Sequence, residues 1–81
     1  MAELKVSLND IESMQAFTNI VSKLDYNVYL RPEGDSEETK LNAKSHLSVM
    51  SLVFYKRLVL SAQTDDVIGL MATLQPYLLK A

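Results

Sequence analysis

The residues best suited to chemistry in this chain lie together in the segment 41–52, which reads Leu-Asn-Ala-Lys-Ser-His-Leu-Ser-Val-Met-Ser-Leu. Ser45 stands where a short helix is predicted to begin, because serine is a favoured N-cap residue and Val49 and Leu52 fill the predicted buried side. The unpaired backbone N–H groups and the positive end of the helix dipole at such a position stabilise an anion such as a phosphate. Ser45 is therefore predicted to cap a helix, and it is also a candidate for phosphorylation; the two roles are compatible.

The next residue, His46, is the only histidine of the chain. An imidazole titrates near neutral pH, but one histidine supplies neither a multi-histidine metal site nor, by itself, a catalytic triad. No arginine adjoins it in sequence to neutralise a phosphate. We expect His46 to be exposed, and phosphorylation of its ring is an alternative to phosphorylation of Ser45.

Other kinds of site lack the residues that they require. The chain has no cysteine, which excludes disulfides, thiolate metal sites and cysteine nucleophiles. Its two glycines, Gly34 and Gly69, form neither a phosphate-binding loop nor a dinucleotide motif. The acidic segment 33–38 lacks the alternating ligands and closing glutamate of a calcium loop, so we predict a solvated turn there. We therefore expect no enzymatic activity, no catalytic residue, no cofactor and no metal.

Composition limits the class of protein further. A chain of 81 residues with 48% apolar side chains is expected to form a single domain, residues 1–81, around one core. The formal charge of −2 and the dispersed lysines give little reason to expect nucleic-acid binding. No apolar run approaches the roughly 18 residues of a membrane span, and the first residues lack the pattern of a signal peptide. We expect a cytoplasmic protein that binds neither nucleic acid nor membrane.

The first half of the chain shows the patterns of three strands and one helix. Alternating apolar residues over 4–8 predict a strand, and helical spacing predicts a helix over 10–24, with Asn9 and Glu12 in the pattern of a capping box. Val28 and Leu30 mark a second strand, and a third is predicted over 39–43, beyond the acidic turn.

The second half supplies two helices and a strand. A helix of about two turns is predicted after Ser45, and the alternation over 57–62 predicts a half-buried strand. Thr64 is the predicted cap of a last helix, which Pro76 should end early or kink. The order βαββαβα predicts an α+β open-faced β-sandwich, in which a four-stranded antiparallel sheet carries three helices on one face.

This order, together with Lys44-Ser45 and the run Val49-Met50-Ser51-Leu52, resembles HPr, the small histidine phosphocarrier of the bacterial phosphotransferase system. The similarity is strongest over 42–52 and extends more loosely over nearly the whole chain. The resemblance implies the open-faced sandwich fold and contacts with other proteins.

The phosphocarrier motif of that family, Gly-Leu-His-Ala-Arg-Pro at the start of the first helix, is missing. Counting back from Ser22 places Asp10 at the histidine, Glu12 at the arginine and Ser13 at the proline. A phosphoryl group carries about two negative charges near neutral pH, so these acids would repel it where the family supplies a cation. Phosphocarrier transfer is therefore not expected, although a relay that uses Asp10 or His46 as acceptor is an alternative.

The regulatory part of the family pattern is better preserved. In many members, a serine at the position of Ser45 is phosphorylated by a dedicated kinase, and the product is a corepressor for a transcription regulator. The catabolite-repression HPr-like branch lacks the active histidine and keeps this serine. Asn42-Ala43 and Lys44-Ser45 are similar to that branch, whereas His46 and Ser48 replace the usual aliphatic residue and glycine. The resemblance thus implies a serine kinase or phosphorylase and a transcription regulator as partners.

The exposed side of the helix after Ser45 is the docking surface in that family. The resemblance makes His46, Leu47, Met50 and Phe54 candidate interface residues, and packing in the core is the alternative for the apolar three. Lys40, Lys44, Lys56 and Arg57 would frame this surface with positive charge, or else be simply solvated.

Taken together, these patterns predict an HPr-like, non-catalytic interaction and regulatory protein with a possible switch at Ser45. The alternatives are the relay component named above and a purely structural domain that associates with itself. The partner, the kinase, the pathway and the oligomeric state stay open.

Overall fold

The computed structural model describes residues 2–79, apart from the side chain of residue 37. Four strands form one antiparallel sheet in the order β1-β4-β2-β3, and three α-helices with two short 3-10 turns complete the fold. The α+β architecture predicted from the sequence is confirmed. The elements are β1 (Ala2–Val6), α1 (Ile11–Val21), β2 (Val28–Pro32), a 3-10 turn (Glu37–Thr39), β3 (Leu41–Asn42), α2 (His46–Met50), β4 (Leu58–Ala62), α3 (Val67–Leu74) and a second 3-10 turn (Gln75–Tyr77).

One hydrophobic core lies between the sheet and the helices. Phe17 of α1 is fully buried and packs edge-to-face on the ring of Tyr77, with ring centroids 5.6 Å apart. Val49 of α2 and Leu52, in the turn after it, are both buried, as predicted. The buried core residues are Ala2, Val6, Leu8, Met14, Phe17, Val21, Val28, Leu30, Ala43, Val49, Leu52, Leu58, Leu60, Ala62, Leu70 and Leu74.

The prediction that β4 is half-buried was wrong, because all five of its residues are buried. β4 lies between β1 and β2, and long charged side chains of these two strands span it on the face without helices. Arg31 of β2 reaches Glu3 of β1 at 3.6 Å, and the same carboxylate lies 3.4 Å from the hydroxyl of Ser61. The aliphatic parts of such side chains exclude water from the strand beneath them.

The predicted caps of α1 and α3 were each displaced. The N-cap of α1 is Asp10 rather than Asn9: its carboxylate accepts a hydrogen bond of 2.7 Å from the N–H of Ser13. The N-cap of α3 is Asp66 rather than Thr64, and its carboxylate accepts a hydrogen bond of 3.0 Å from the N–H of Gly69. In both helices the acid satisfies a backbone donor that the first turn leaves unpaired.

Four predicted boundaries also need correction. The first strand covers Ala2–Val6 instead of 4–8, so Leu8 lies in the loop before α1. α1 ends at Val21 instead of residue 24, and the third strand covers only Leu41–Asn42 instead of 39–43, because Thr39 belongs to a 3-10 turn. α2 has five residues, fewer than the two turns predicted. The expectation for Pro76 is confirmed, since α3 ends at Leu74 and the chain continues in a 3-10 turn.

The segment after α3 covers part of the outer edge of β1. The N–H of Ser7 donates to the carbonyl of Tyr77 at 2.8 Å, and the N–H of Leu79 donates to the carbonyl of Lys5 at 2.9 Å. This pairing satisfies backbone groups that an edge strand otherwise leaves open.

Candidate functional site

Ser45 is the N-cap of α2, as predicted from the sequence. Its backbone is extended, its hydroxyl accepts a hydrogen bond of 3.3 Å from the N–H of Ser48, and its carbonyl accepts one of 3.0 Å from the N–H of Val49. The residue is half-buried. The hydroxyl therefore takes part in local structure already, whether or not it is modified.

The turn before Ser45 is held by hydrogen bonds to three neighbouring segments. The N–H of Ala43 donates to the carbonyl of Val28, and the N–H of Lys44 donates to the side-chain oxygen of Asn42, both at 2.9 Å. The ammonium group of Lys44 donates to the carbonyl of Leu24, after α1, at 2.7 Å. These contacts fix the position at which α2 begins.

Three apolar side chains on α2 and the turn after it form a surface that we call the α2 patch: Leu47, Met50 and Phe54. Leu47 is 84% exposed, Phe54 is 91% exposed and Met50 is 36% exposed. Leu47 and Met50 are three residues apart on one side of the helix. These exposures exclude core packing for Leu47 and Phe54. The neighbouring His46 is exposed, as expected.

Asp10 and Glu12, which the sequence places at the phosphocarrier positions, lie at the start of α1. The pKa of Asp10 is lowered by the hydrogen bond from the backbone of Ser13, and next by one from its side chain, with slight burial acting the other way. Within residues 2–79, no lysine or arginine forms an ion pair with either acid. Both carboxylates are exposed, and both favour the positive end of the helix dipole.

The topology keeps Asp10 away from Ser45 and His46. β1 and β3 run in opposite directions, so the C-terminal end of β1 and the C-terminal end of β3 lie at opposite ends of the strands. The chain enters α1 from one of these ends and α2 from the other. The candidate acceptors of a phosphoryl group therefore do not form one site.

A pocket that the sequence did not suggest lies at the Asp10 end of the helical layer. It has a volume of about 480 Å³ and is lined by residues of two segments, Leu8-Asn9 and 53–56. The two segments are more than forty residues apart, so no local pattern could have indicated their contact. Phe54 belongs both to the lining of the pocket and to the α2 patch.

Four cations were expected to frame the α2 patch, and three of them make other contacts. Arg57 forms an ion pair of 2.8 Å with Glu33, Lys40 lies 4.6 Å from the centroid of the Tyr29 ring, and Lys44 binds a carbonyl as described above. Lys56 is exposed and lines the pocket. The positive charge nearest to Phe54 in the chain is thus that of Lys56.

Neither a metal cluster nor a membrane-spanning helix is found in the part of the chain that the structure describes. No three histidine or acidic side chains there are grouped so that they could hold a metal ion. None of the helices within residues 2–79 combines the length and the apolar character that crossing a bilayer requires.

Comparison with known proteins identifies the fold. No protein-family model and no curated protein matches the chain. Among solved structures, HPr-C-His from Thermoanaerobacter tengcongensis matches with a TM-score of 0.70 and 23% identity, over 94% of this chain and 89% of that one. The histidine-containing phosphocarrier protein of a mycoplasma matches with a TM-score of 0.68 and 15% identity, over 93% of this chain and 89% of that one. The chain has the HPr fold.

Proposed function

We propose that this protein is a non-catalytic interaction module, related to the bacterial sugar phosphotransferase system, which docks on a partner protein through the α2 patch. The observation that carries the proposal is the exposure of three apolar side chains within eight residues of the chain, Leu47, Met50 and Phe54. Contiguous exposed apolar side chains are a mark of protein contact surfaces, because they gain hydrophobic free energy only when a partner covers them. The HPr fold of the chain supports the relation to the phosphotransferase system.

The start of α1 supports a role without phosphoryl transfer. Asp10 directs its carboxylate to the N–H of Ser13, and Glu12 adds a second negative charge in the first turn. A phosphoryl group carrying about two negative charges would meet repulsion there.

Ser45 is the proposed switch of this docking surface. A phosphate on its hydroxyl would add about −1.5 to −2 charges at the start of α2, next to His46 and two residues before Leu47. The added charge would change which partner surfaces can bind here, while the fold of this protein would stay the same. In this proposal a serine kinase or phosphorylase sets the state of Ser45, and a cytoplasmic transcription regulator is a candidate partner.

The docking surface is tested by comparing two exposed apolar positions on different helices. Bacterial lysate is passed over immobilised wild type, Leu47→Lys and Ile68→Lys, the last as a matched control because Ile68 on α3 is 83% exposed. We expect a specific protein to be retained by the wild type and by Ile68→Lys, and to be lost with Leu47→Lys. Equal retention by all three proteins would contradict docking through α2.

The switch is tested by incubation with a serine kinase of the HPr type and ATP, followed by intact-mass measurement. The wild type should gain one phosphoryl group, Ser45→Ala should gain none, and Ser48→Ala should behave as the wild type. An equal gain by wild type and Ser45→Ala would reject Ser45. Phosphoenolpyruvate with the upstream enzyme of the system tests the relay alternative: acid-labile phosphate would indicate His46, and hydroxylamine-labile phosphate would indicate Asp10.

Self-association is a second candidate function, because α3 also exposes apolar side chains. Val67, Ile68 and Met71 are exposed, whereas Leu70 and Leu74 of the same helix are buried. Light scattering after size-exclusion chromatography would show a dimer if this face joins two copies, and Ile68→Lys would then give a monomer.

A further inference from the structure

The pocket beside Phe54 is built by a contact between two distant parts of the chain. The hydroxyl of Ser7, just after β1, lies 2.9 Å from the carbonyl oxygen of Lys56 and 2.9 Å from the side-chain oxygen of Asn9. These contacts tie the wall before α1 to the wall before β4. On the far side of Lys56, the carbonyl of Arg57 accepts a hydrogen bond of 3.0 Å from the N–H of Glu33. The pocket is therefore preformed, which limits the ordering that a ligand would have to impose.

Most of the lining is apolar or aromatic. Leu8 is fully buried, Val53 is half-buried, and Phe54 and Tyr55 expose their rings. A volume of about 480 Å³ is large enough for an aromatic side chain and lies in the range of known ligand pockets. Aromatic rings prefer edge-to-face or offset contacts with other rings, so two rings in the lining favour an aromatic group.

The cation of the lining, Lys56, favours a negative charge beside that ring. Within residues 2–79, the ammonium group of Lys56 has neither an ion pair nor a hydrogen bond. Asn9, the other polar residue of the lining, has its side-chain amide against the Ser7 hydroxyl at 2.9 Å. The nearby carboxylate of Asp10 does not line the pocket, because it is turned to the N–H of Ser13.

We propose that this pocket binds an aromatic side chain of the docking partner, with a neighbouring carboxylate of that partner paired to Lys56. The inference rests on the proposed docking function and specifies the chemistry of the partner. Because Phe54 belongs to both surfaces, a partner that covers the α2 patch reaches the mouth of the pocket. The partner segment therefore carries an aromatic residue next to an acidic one.

Titration with small probes, followed by amide NMR of the full chain, tests the chemistry of the pocket. The probes are 3-phenylpropionate, its neutral amide 3-phenylpropanamide, and acetate. We expect 3-phenylpropionate to cause saturable shifts at Asn9 and at 53–56, the amide to bind about three- to fivefold more weakly, and acetate to cause no saturable shift. Lys56→Gln should reduce the affinity for 3-phenylpropionate to that for the amide, whereas Lys23→Gln, on an exposed lysine after α1, should leave it unchanged.

Several results would overturn the proposal. One is the absence of saturable shifts with 3-phenylpropionate, and another is equal affinity for wild type and Lys56→Gln. Equal shifts at Ile68 on α3 would show general adhesion to apolar surface instead of a site. The capture assay separates this inference from the docking function: loss of capture with Leu47→Lys but not with Lys56→Gln overturns the pocket alone, whereas capture insensitive to both overturns docking and the pocket together.

Discussion

Two phenylalanines of this chain should respond in opposite ways to truncation. Phe17 is fully buried in the core and contacts Tyr77, whereas Phe54 is 91% exposed on the α2 patch. If Phe54 serves contact with a partner, Phe54→Ala should leave folding nearly unchanged and weaken docking. Phe17→Ala should destabilise the fold.

The expected magnitudes follow from the buried areas. A fully buried aromatic side chain removes roughly 200 Å² from water, so the buried tenth of Phe54 represents about 20 Å². At about 25 cal/mol per Å², its loss lowers the free energy of unfolding by about 0.5 kcal/mol. Truncation of a buried phenylalanine such as Phe17 costs about 3–5 kcal/mol, because a cavity remains. A domain of this size is stable by roughly 4–12 kcal/mol, so Phe17→Ala can approach complete unfolding.

Urea unfolding followed by circular dichroism measures both effects, and Phe17→Leu provides a core variant that keeps most of the side-chain volume. Leu47→Ala is a second surface variant with a small expected loss, since Leu47 is largely exposed. A loss above about 1.5 kcal/mol for Phe54→Ala would show that the ring is packed in the free protein. The reasoning that assigns the α2 patch to a partner would then fail.

Two further predictions concern the helix caps. The pKa of Asp10 is lowered by its hydrogen bonds from Ser13, so its carboxylate stabilises the fold above the unfolded-state pKa, and this contribution is lost as the pH falls through the lower folded-state pKa. Asp10→Asn keeps a capping oxygen but has no charge to lose, so its urea midpoint should fall less between about pH 7 and about pH 2.5 than that of the wild type. An equal fall in both proteins would contradict this role. Alanine in place of glycine in a helix usually raises the free energy of unfolding by about 1 kcal/mol. Gly69→Ala should fail to give this gain, because the new methyl group would lie 2.8 Å from the carboxyl carbon of Asp66 and displace that cap. In an Asp66→Ala background, which has no such cap, the same change should raise the free energy of unfolding by about 1 kcal/mol.

Local patterns predicted those parts of the fold whose causes are local. Ser45 is followed by apolar residues at helical spacing, and both the cap and the buried positions Val49 and Leu52 were therefore predictable. The caps of α1 and α3 were displaced by one and two residues. Asn9 and Asp10 are both good N-cap residues, and the choice falls on the one whose side chain reaches a free N–H.

The remaining features depend on contacts between distant segments. The second buried face of β4 exists because Arg31 and Glu3 meet across it, and nothing in the sequence of β4 encodes that ion pair. The same holds for the pocket, whose two walls are joined by the hydroxyl of Ser7 and the carbonyl of Lys56. Of the candidate site, the sequence indicated Ser45 and the α2 patch but could not indicate the pocket.

The start of α1 shows why the HPr fold can persist here while its phosphocarrier chemistry is not expected. A helix N-terminus presents backbone N–H groups that bind an anion, and the phosphocarrier motif places a histidine and an arginine at that point. In this chain the N–H of Ser13 already donates to Asp10 at 2.7 Å. A phosphoryl group would have to displace the carboxylate of Asp10 from this N–H group. It would also be repelled by the negative charge of Glu12 in the first turn of the helix. The Asp10 carboxylate therefore stabilises the helix through the same backbone N–H group that an anion bound at this helix end would need.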